Sequence, residues 1–377
     1  LTNKQLNILF TASWYPSKAH PTLGNFIQRH AEAVTEMHHV HVLYITSLDG
    51  HRGAPAVEQS KINGVSTTII YCGKGWANKY RAFRFGAHVL FEKEQQHFDL
   101  IHHHVLWPHS WQARWLHSKY KIPYIVTEHW TGYDQSRSRQ RHPLIKTLSQ
   151  FGAAKAFAIC PVTQNLASTL KEYGITANYR VVPNVVDTDL FNLTHAEHQR
   201  VRFLHVSSLV DDQKNISGML RVWKKISDKF PDAHLTIGGD GPFQFWKKSA
   251  DDMGIHAESI SWFGEQTWQE VAAKMQASHY LLMFSNYENL PCVIVEAMAC
   301  GLGIISTRVG GISEHINSDR GLLIGPGNED ELYSAIEHTC LQPDLFNRES
   351  LRQYAVQHFS KKAIAAQFDS IYREALG

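Results

Sequence analysis

Ser285-Asn286-Tyr287-Glu288-Asn289-Leu290-Pro291-Cys292-Val293-Ile294-Val295-Glu296-Ala297-Met298-Ala299-Cys300-Gly301 reads as the end of a strand, a loop, a helix and a stop. Proline suits a first helical turn, where its missing N–H costs nothing, and glycine suits the position after a helix because it tolerates positive φ. The pattern predicts a helix from about Pro291 to Cys300. The amides and positive dipole end at the start of such a helix favour a diphosphate. Glu288 precedes them, and Glu296 lies five residues beyond Pro291, roughly 7.5 Å along the axis. Carboxylates accept hydrogen bonds from hydroxyls, so one suits a donor sugar and the other a ribose. Two glutamates so spaced also arise by chance on a solvent-facing helix; the loop, proline and glycine around them give the pattern its weight.

Outward from this stretch, short β-rich apolar runs alternate with longer amphipathic ones, the pattern of βαβ units around parallel sheets, so the fold class is α/β. Strands are expected at 7–11, 40–46, 66–71, 100–102, 124–127, 156–162 and 179–182. A second series is expected at 203–207, 234–237, 260–263, 280–284, 303–306 and 321–324. Helices are expected at 25–37 and 111–119. The run Pro183-Asn184-Val185-Val186-Asp187-Thr188-Asp189 interrupts both periodicities and places a link there. The expected organisation is a first Rossmann-like domain over 1–186, a second over 187–359, and a closing helix over 360–377 that crosses back to the first. Two such domains bind ligands at the carboxyl ends of their strands, and facing domains make a shared cleft.

The 377 residues are 43% hydrophobic and 19% charged, enough for two cores and too apolar for disorder. A net charge of +2 gives no reason to expect nucleic acid as partner. The five cysteines lack CxxC spacing and leave one unpaired, which points to reduced thiols and a cytoplasmic protein. No apolar run approaches a membrane span, and residues 1–6 do not resemble a signal peptide. Of the 24 histidines, His102, His103 and His104 are adjacent. Adjacent side chains on a strand point to opposite faces and do not all bind one ion, so no metal is expected.

The run from Tyr287 to Gly301 resembles the signature of retaining glycosyltransferase family four, of the GT-B fold. Further segments share the likeness: Gly239-Asp240-Gly241-Pro242 resembles its glycine turn, Trp262-Phe263-Gly264 its base-contacting strand end, and Val309-Gly310-Gly311-Ile312-Ser313-Glu314 the segment after the second glutamate. In the first half, Pro21-Thr22-Leu23-Gly24-Asn25-Phe26, Asp99-Leu100-Ile101-His102-His103-His104 and Thr127-Glu128-His129 resemble its first turn, its Asp/His strand and its strand ending in histidine. The resemblance implies a donor site of Gly24, Lys214, Gly239, Gly241, Phe263, Gly264, Glu288, Asn289, Leu290 and Glu296. It implies reacting groups His129, Lys214 and Glu288, with His104 on the acceptor side. Lys214 falls where the family carries a lysine for the donor diphosphate, but Ser207 and Ser208 stand where a glycine and an arginine are usual. Read singly, these residues also suit bland roles: turns for the glycines, core for Phe263 and His129, surface for Lys214.

The implied activity is transfer of a sugar, with retained configuration and without a metal or cofactor, from a nucleotide diphosphate sugar to a saccharide, lipid-linked or small-molecule acceptor. The alternatives are a nucleotide-sugar epimerase of the same fold and a non-catalytic nucleotide-sugar binding protein. Two basic stretches, the aromatic-interleaved 76–85 and the set Arg137, Arg139, Arg141 and Lys146, suit either a solvated face or peripheral contact with anionic lipid.

Overall fold

The computed structural model describes residues 4–134, 143–194 and 200–377. The arginines at 137, 139 and 141 lie outside the described residues. The chain divides into two compact units, Leu1–Val185 with Lys361–Gly377, and Val186–Ser360.

The first unit holds a seven-stranded sheet in the order β3-β4-β2-β1-β5-β6-β7. The strands are β1 (Asn7–Ala12), β2 (His39–Ser47), β3 (Ala56–Ile62), β4 (Val65–Cys72), β5 (Leu100–His104), β6 (Tyr124–Glu128) and β7 (Ile159–Pro161). All neighbours pair in parallel except β3 with β4. Strands buried on both faces need continuous apolar runs, and β1 is buried at every position after Asn7. Apolar clusters fill both faces. The expected strand at 179–182 is reduced to an isolated bridge between Tyr179 and Ile159. Pro161 has no N–H to donate to the Arg180 carbonyl, so the pairing is left with the Ile159–Asn178, Arg180–Ile159 and Val182–Pro161 hydrogen bonds. Edge strand β3 was not expected. It pairs with β4 through Asn63 and Gly64, both at positive φ, in a two-residue hairpin turn.

The helix Lys361–Leu376 packs on Asn25–Val34, burying Ile364, Phe368, Ile371 and Tyr372 beside Ile27, Ala31 and Val34. The helix Trp76–His88 carries the aromatic and basic residues of the first stretch, with Trp76 exposed and stacked on Tyr80.

The second unit is a six-stranded parallel sheet in the order β10-β9-β8-β11-β12-β13. Its strands are β8 (Arg202–Val206), β9 (His234–Gly238), β10 (Ile260–Phe263), β11 (Tyr280–Met283), β12 (Gly303–Thr307) and β13 (Gly321–Ile324). Numbered within the unit this is the 3-2-1-4-5-6 order of a Rossmann fold, whose switch point lies between β8 and β11. Pro291 stands at the N-cap in an extended conformation, outside the first turn where it was expected, and the helix runs Cys292–Ala299. Proline's fixed φ suits both positions. Gly301 ends the segment at φ 77°.

Candidate active site

In the second unit, the loops leaving β8 and β11 meet at the switch point. The Asn286 N–H donates to the Gln213 carbonyl at 2.7 Å, its side-chain amide donates to the Asp212 carbonyl at 2.9 Å, and the Tyr287 hydroxyl reaches Asp212 at 3.1 Å. Stapled this way, the loops set Lys214 against Glu288 in a largely buried ion pair. Gln213 donates to the other Glu288 oxygen at 3.3 Å. Lys214 closes a short helical turn, Asp211–Lys214, and Asn215 at φ 50° caps the long helix Ile216–Lys229 that follows. Burying two charges is tolerable because each meets the other and hydrogen bonds complete the set.

Glycines allow the neighbouring backbones to close on these loops. A Cβ at Gly239 would collide with the Ser207 carbonyl, and one at Gly241 with the Ser208 carbonyl. One at Gly310 would collide with the Glu288 carbonyl, while the Gly311 N–H donates to the Asn289 carbonyl at 2.9 Å. The segment 309–311 therefore backs the Glu288 loop. Glu296 is 3% exposed, so it does not decorate a solvent face. Burial, with Glu296's charge second, pushes the nearby Cys300 thiol up to about 12. Phe263 and Leu290 are core side chains, with Gly264 directly after β10. Ser207 accepts the Leu209 N–H at 3.1 Å and meets His205 at 2.7 Å; Ser208 is half-buried.

In the first unit, Gly24 at φ 75° starts the helix Asn25–Val34, whose inner face carries His30. His104 ends β5 and His129 follows β6, adjacent strands in the sheet. His104 Nδ1 lies 3.5 Å from His129 Nε2. The ring centroids of His30 lie 5.7 Å from His104 and 5.2 Å from His129. His104 and His30 are fully buried and His129 half-buried. Desolvation, and then the neighbouring rings, hold His104 and His129 well below the ordinary histidine range, and desolvation takes His30 to about 4. The three are neutral at pH 7.

His102 shares a strand face with His104 but is committed elsewhere, to the Tyr372 hydroxyl at 2.7 Å and Thr127 at 2.6 Å. His103 faces the other way and meets Thr11 at 2.8 Å. Beneath His129, the buried Glu128 accepts from the N–H groups of Leu106, His129 and Trp130 and from the Tyr133 hydroxyl. Desolvation nevertheless raises its carboxyl to about 7.

Three participants escaped the sequence reading. His30 had a visible signal, since Phe26, Ile27, His30, Ala31 and Val34 form one helical face. Gln213 and Glu128 had none, because their roles depend on loops meeting across the fold.

The profile of the family described as Glycosyltransferase Family 4 matches residues 23–190, and that described as Glycosyl transferases group 1 matches residues 200–341. N-acetyl-alpha-D-glucosaminyl L-malate synthase from Bacillus anthracis is 25% identical over 81% of this chain and 84% of its own. Sucrose-phosphate synthase from Thermosynechococcus elongatus shares the fold, with a TM-score of 0.76 and 18% identity over 98% of this chain and 99% of its own. So does Anabaena HepE in complex with UDP-glucose, with a TM-score of 0.75 and 17% identity over 98% and 100% of the two chains. With its two profiles together spanning most of the sequence, the chain belongs to glycosyltransferase family 4, and it is a glycosyltransferase of the GT-B fold.

Proposed function

We propose that the protein transfers a sugar from a nucleoside diphosphate donor, with retained configuration and without a metal, to a saccharide, lipid-linked or small-molecule acceptor. The observation that carries this reading is the Lys214–Glu288 pair at the switch point of the second sheet. When the anomeric bond breaks, negative charge grows on the β-phosphate. A fixed ammonium and the dipole of the helix Cys292–Ala299 answer that charge without a cation. An incoming diphosphate competes for Lys214, which frees the Glu288 carboxylate to accept from the sugar's hydroxyls. Glu296 is assigned the ribose, and the loops at Gly24, Gly239, Gly241, Phe263, Gly264, Asn289 and Leu290 the rest of the donor. The donor phosphate takes the acceptor hydroxyl's proton, so no acid and base carboxylate pair is needed. His129 meets the donor sugar and His104 the acceptor side.

The UDP-glucose named for HepE makes uridine nucleotides the first donors to try. Among the described residues no helix is long and apolar enough to cross a membrane. The exposed Trp76 and its basic neighbours suit peripheral contact of a cytoplasmic protein with anionic lipid. The test is transfer from UDP-, GDP- and ADP-sugars in excess chelator. The nucleotide that raises the melting temperature should also support turnover there. Activity abolished by chelator and restored only by magnesium or manganese overturns the metal-free mechanism.

A further inference from the structure

We propose that His30, His104 and His129 form a three-nitrogen site for a late first-row divalent cation, zinc foremost, whose occupancy blocks transfer. The argument against one ion on His102, His103 and His104 concerns neighbours on one strand. This set comes from a helix and two strand ends, and it offers one ring nitrogen from each residue, all within 4.8 Å of one another. Zinc–imidazole bonds of about 2.0–2.1 Å put tetrahedral ligand nitrogens roughly 3.3 Å apart. The His104–His129 edge already measures 3.5 Å. Only the His30 ring has an appreciable distance to close, on the order of 1 Å by the same geometry.

The chemistry of the donors agrees with the spacing. A neutral imidazole has one ring lone pair to give, and a set with no carboxylate and no thiolate selects zinc, copper, nickel or cobalt over magnesium and calcium. The His104 nitrogen that faces His129 is Nδ1, which makes it the ligand and leaves the ring proton on Nε2, buried without a hydrogen-bond partner. His30 lies between two carbonyl oxygens, Phe26 O at its Nδ1 and Pro183 O at its Nε2, each 3.1 Å away. A neutral ring has one N–H, so one of those nitrogens turns a lone pair on a carbonyl. A turn of the ring that moves this nitrogen off the carbonyl and onto a cation removes the repulsion. The other keeps its N–H on a backbone carbonyl, which is the support metal-bound histidines ordinarily have. Phe10, Phe26 and Phe368 pack on the rings and limit competing water, while half-buried His129 gives the route in.

Occupancy would hold the His129 ring and place a cation where the donor sugar is expected. The inhibition limb rests on the proposed role of His129; the binding limb does not. The experiment titrates cobalt(II) into untagged, chelator-stripped protein and follows the visible bands of tetrahedral cobalt. One tight equivalent is expected, bleached by zinc, with affinity lowered about 100-fold or more in His30→Gln and in His104→Gln. Bands no stronger than those of the aquo ion overturn the site, and so do bands that survive both substitutions in folded protein. The wild-type titration needs no variant to fold. In a transfer assay, zinc should inhibit and chelator should restore the rate, each variant being compared with its own zinc-free rate. Tight binding with an unchanged rate overturns the inhibition limb and with it the role of His129. Absent binding with a chelator-resistant, His129-dependent rate overturns the metal site alone.

Discussion

The two units place their polar side chains at strand ends by opposite electrostatic routes. In the first, desolvation keeps His30, His104 and His129 uncharged, and the rings stack and hydrogen-bond as neutral groups. In the second, Lys214 and Glu288 form an ion pair although largely buried, because two stapled loops bring each charge its partner. Burial therefore does not decide the charge of a site; the availability of a counter-charge on an adjoining loop does.

The largest expected effect that tests this contrast is acid sensitivity. His30 and His41 titrate near 4 and His103 near 3 in the folded chain, all lowered by burial. The unfolded chain, with histidines near 6.5, binds more protons between those values. Stability from these rings is complete above about pH 6.5 and is lost as pH falls toward 4, at on the order of 3 kcal/mol per ring. The second unit carries fewer such rings, His205 and His315 among them. Hydrogen exchange followed by mass spectrometry between pH 7 and 4 should show the first unit opening first. Simultaneous opening would erase the contrast.

Next in size is His129→Ala, expected to lower turnover about 100-fold or more while nucleotide binding and melting temperature change little. A fall in melting temperature with unchanged specific activity would make the ring a packing element only.

Lys214→Ala should follow, at about 30- to 150-fold in rate. It also leaves Glu288 buried without its cation, so the double variant with Glu288→Gln should be less destabilised than the single one. Glu288→Gln alone should lower turnover more than donor affinity, and Glu296→Gln the reverse, each by roughly 10- to 150-fold. Wild-type kinetics and donor affinity in Lys214→Ala would reduce the pair to a structural tie between two loops.

The smallest effect is a rescue. Ser208→Arg in the Lys214→Ala background should recover a few-fold in rate, since Ser208 lies on the same β8 loop and its carbonyl packs at Gly241. No recovery would mean that the serine side chain does not face the site of Lys214.

Much of this arrangement was legible in order along the chain. The alternation of apolar runs located twelve of the thirteen strands among the described residues to within a few residues, although it made β7 much longer than it is. The expected strand at 179–182 failed because Pro161 withholds a donor from the pairing, a loss that periodicity does not register. Strand β3 was missed because its residues are almost all exposed, although Asn63-Gly64 carried the hairpin signal. Lys214, Glu288, His104 and His129 were legible as types at strand ends. Their partnerships were not. Which carboxylate meets Lys214 and which ring joins His104 depend on strand order, and a linear pattern does not contain strand order.

The hydrogen bond from Tyr372 to His102 joins positions separated by 270 residues, and the helix that carries Tyr372 covers Ile27, Ala31 and Val34. In terms of synthesis, the second unit is an insertion in the first. The ribosome makes the strands of the first unit early, yet the helix that seals their apolar face emerges after everything between Val186 and Ser360 has been translated. Throughout that interval the nascent first unit presents an open hydrophobic side, while the second closes from contiguous chain alone. The unit begun first is thus the one completed last.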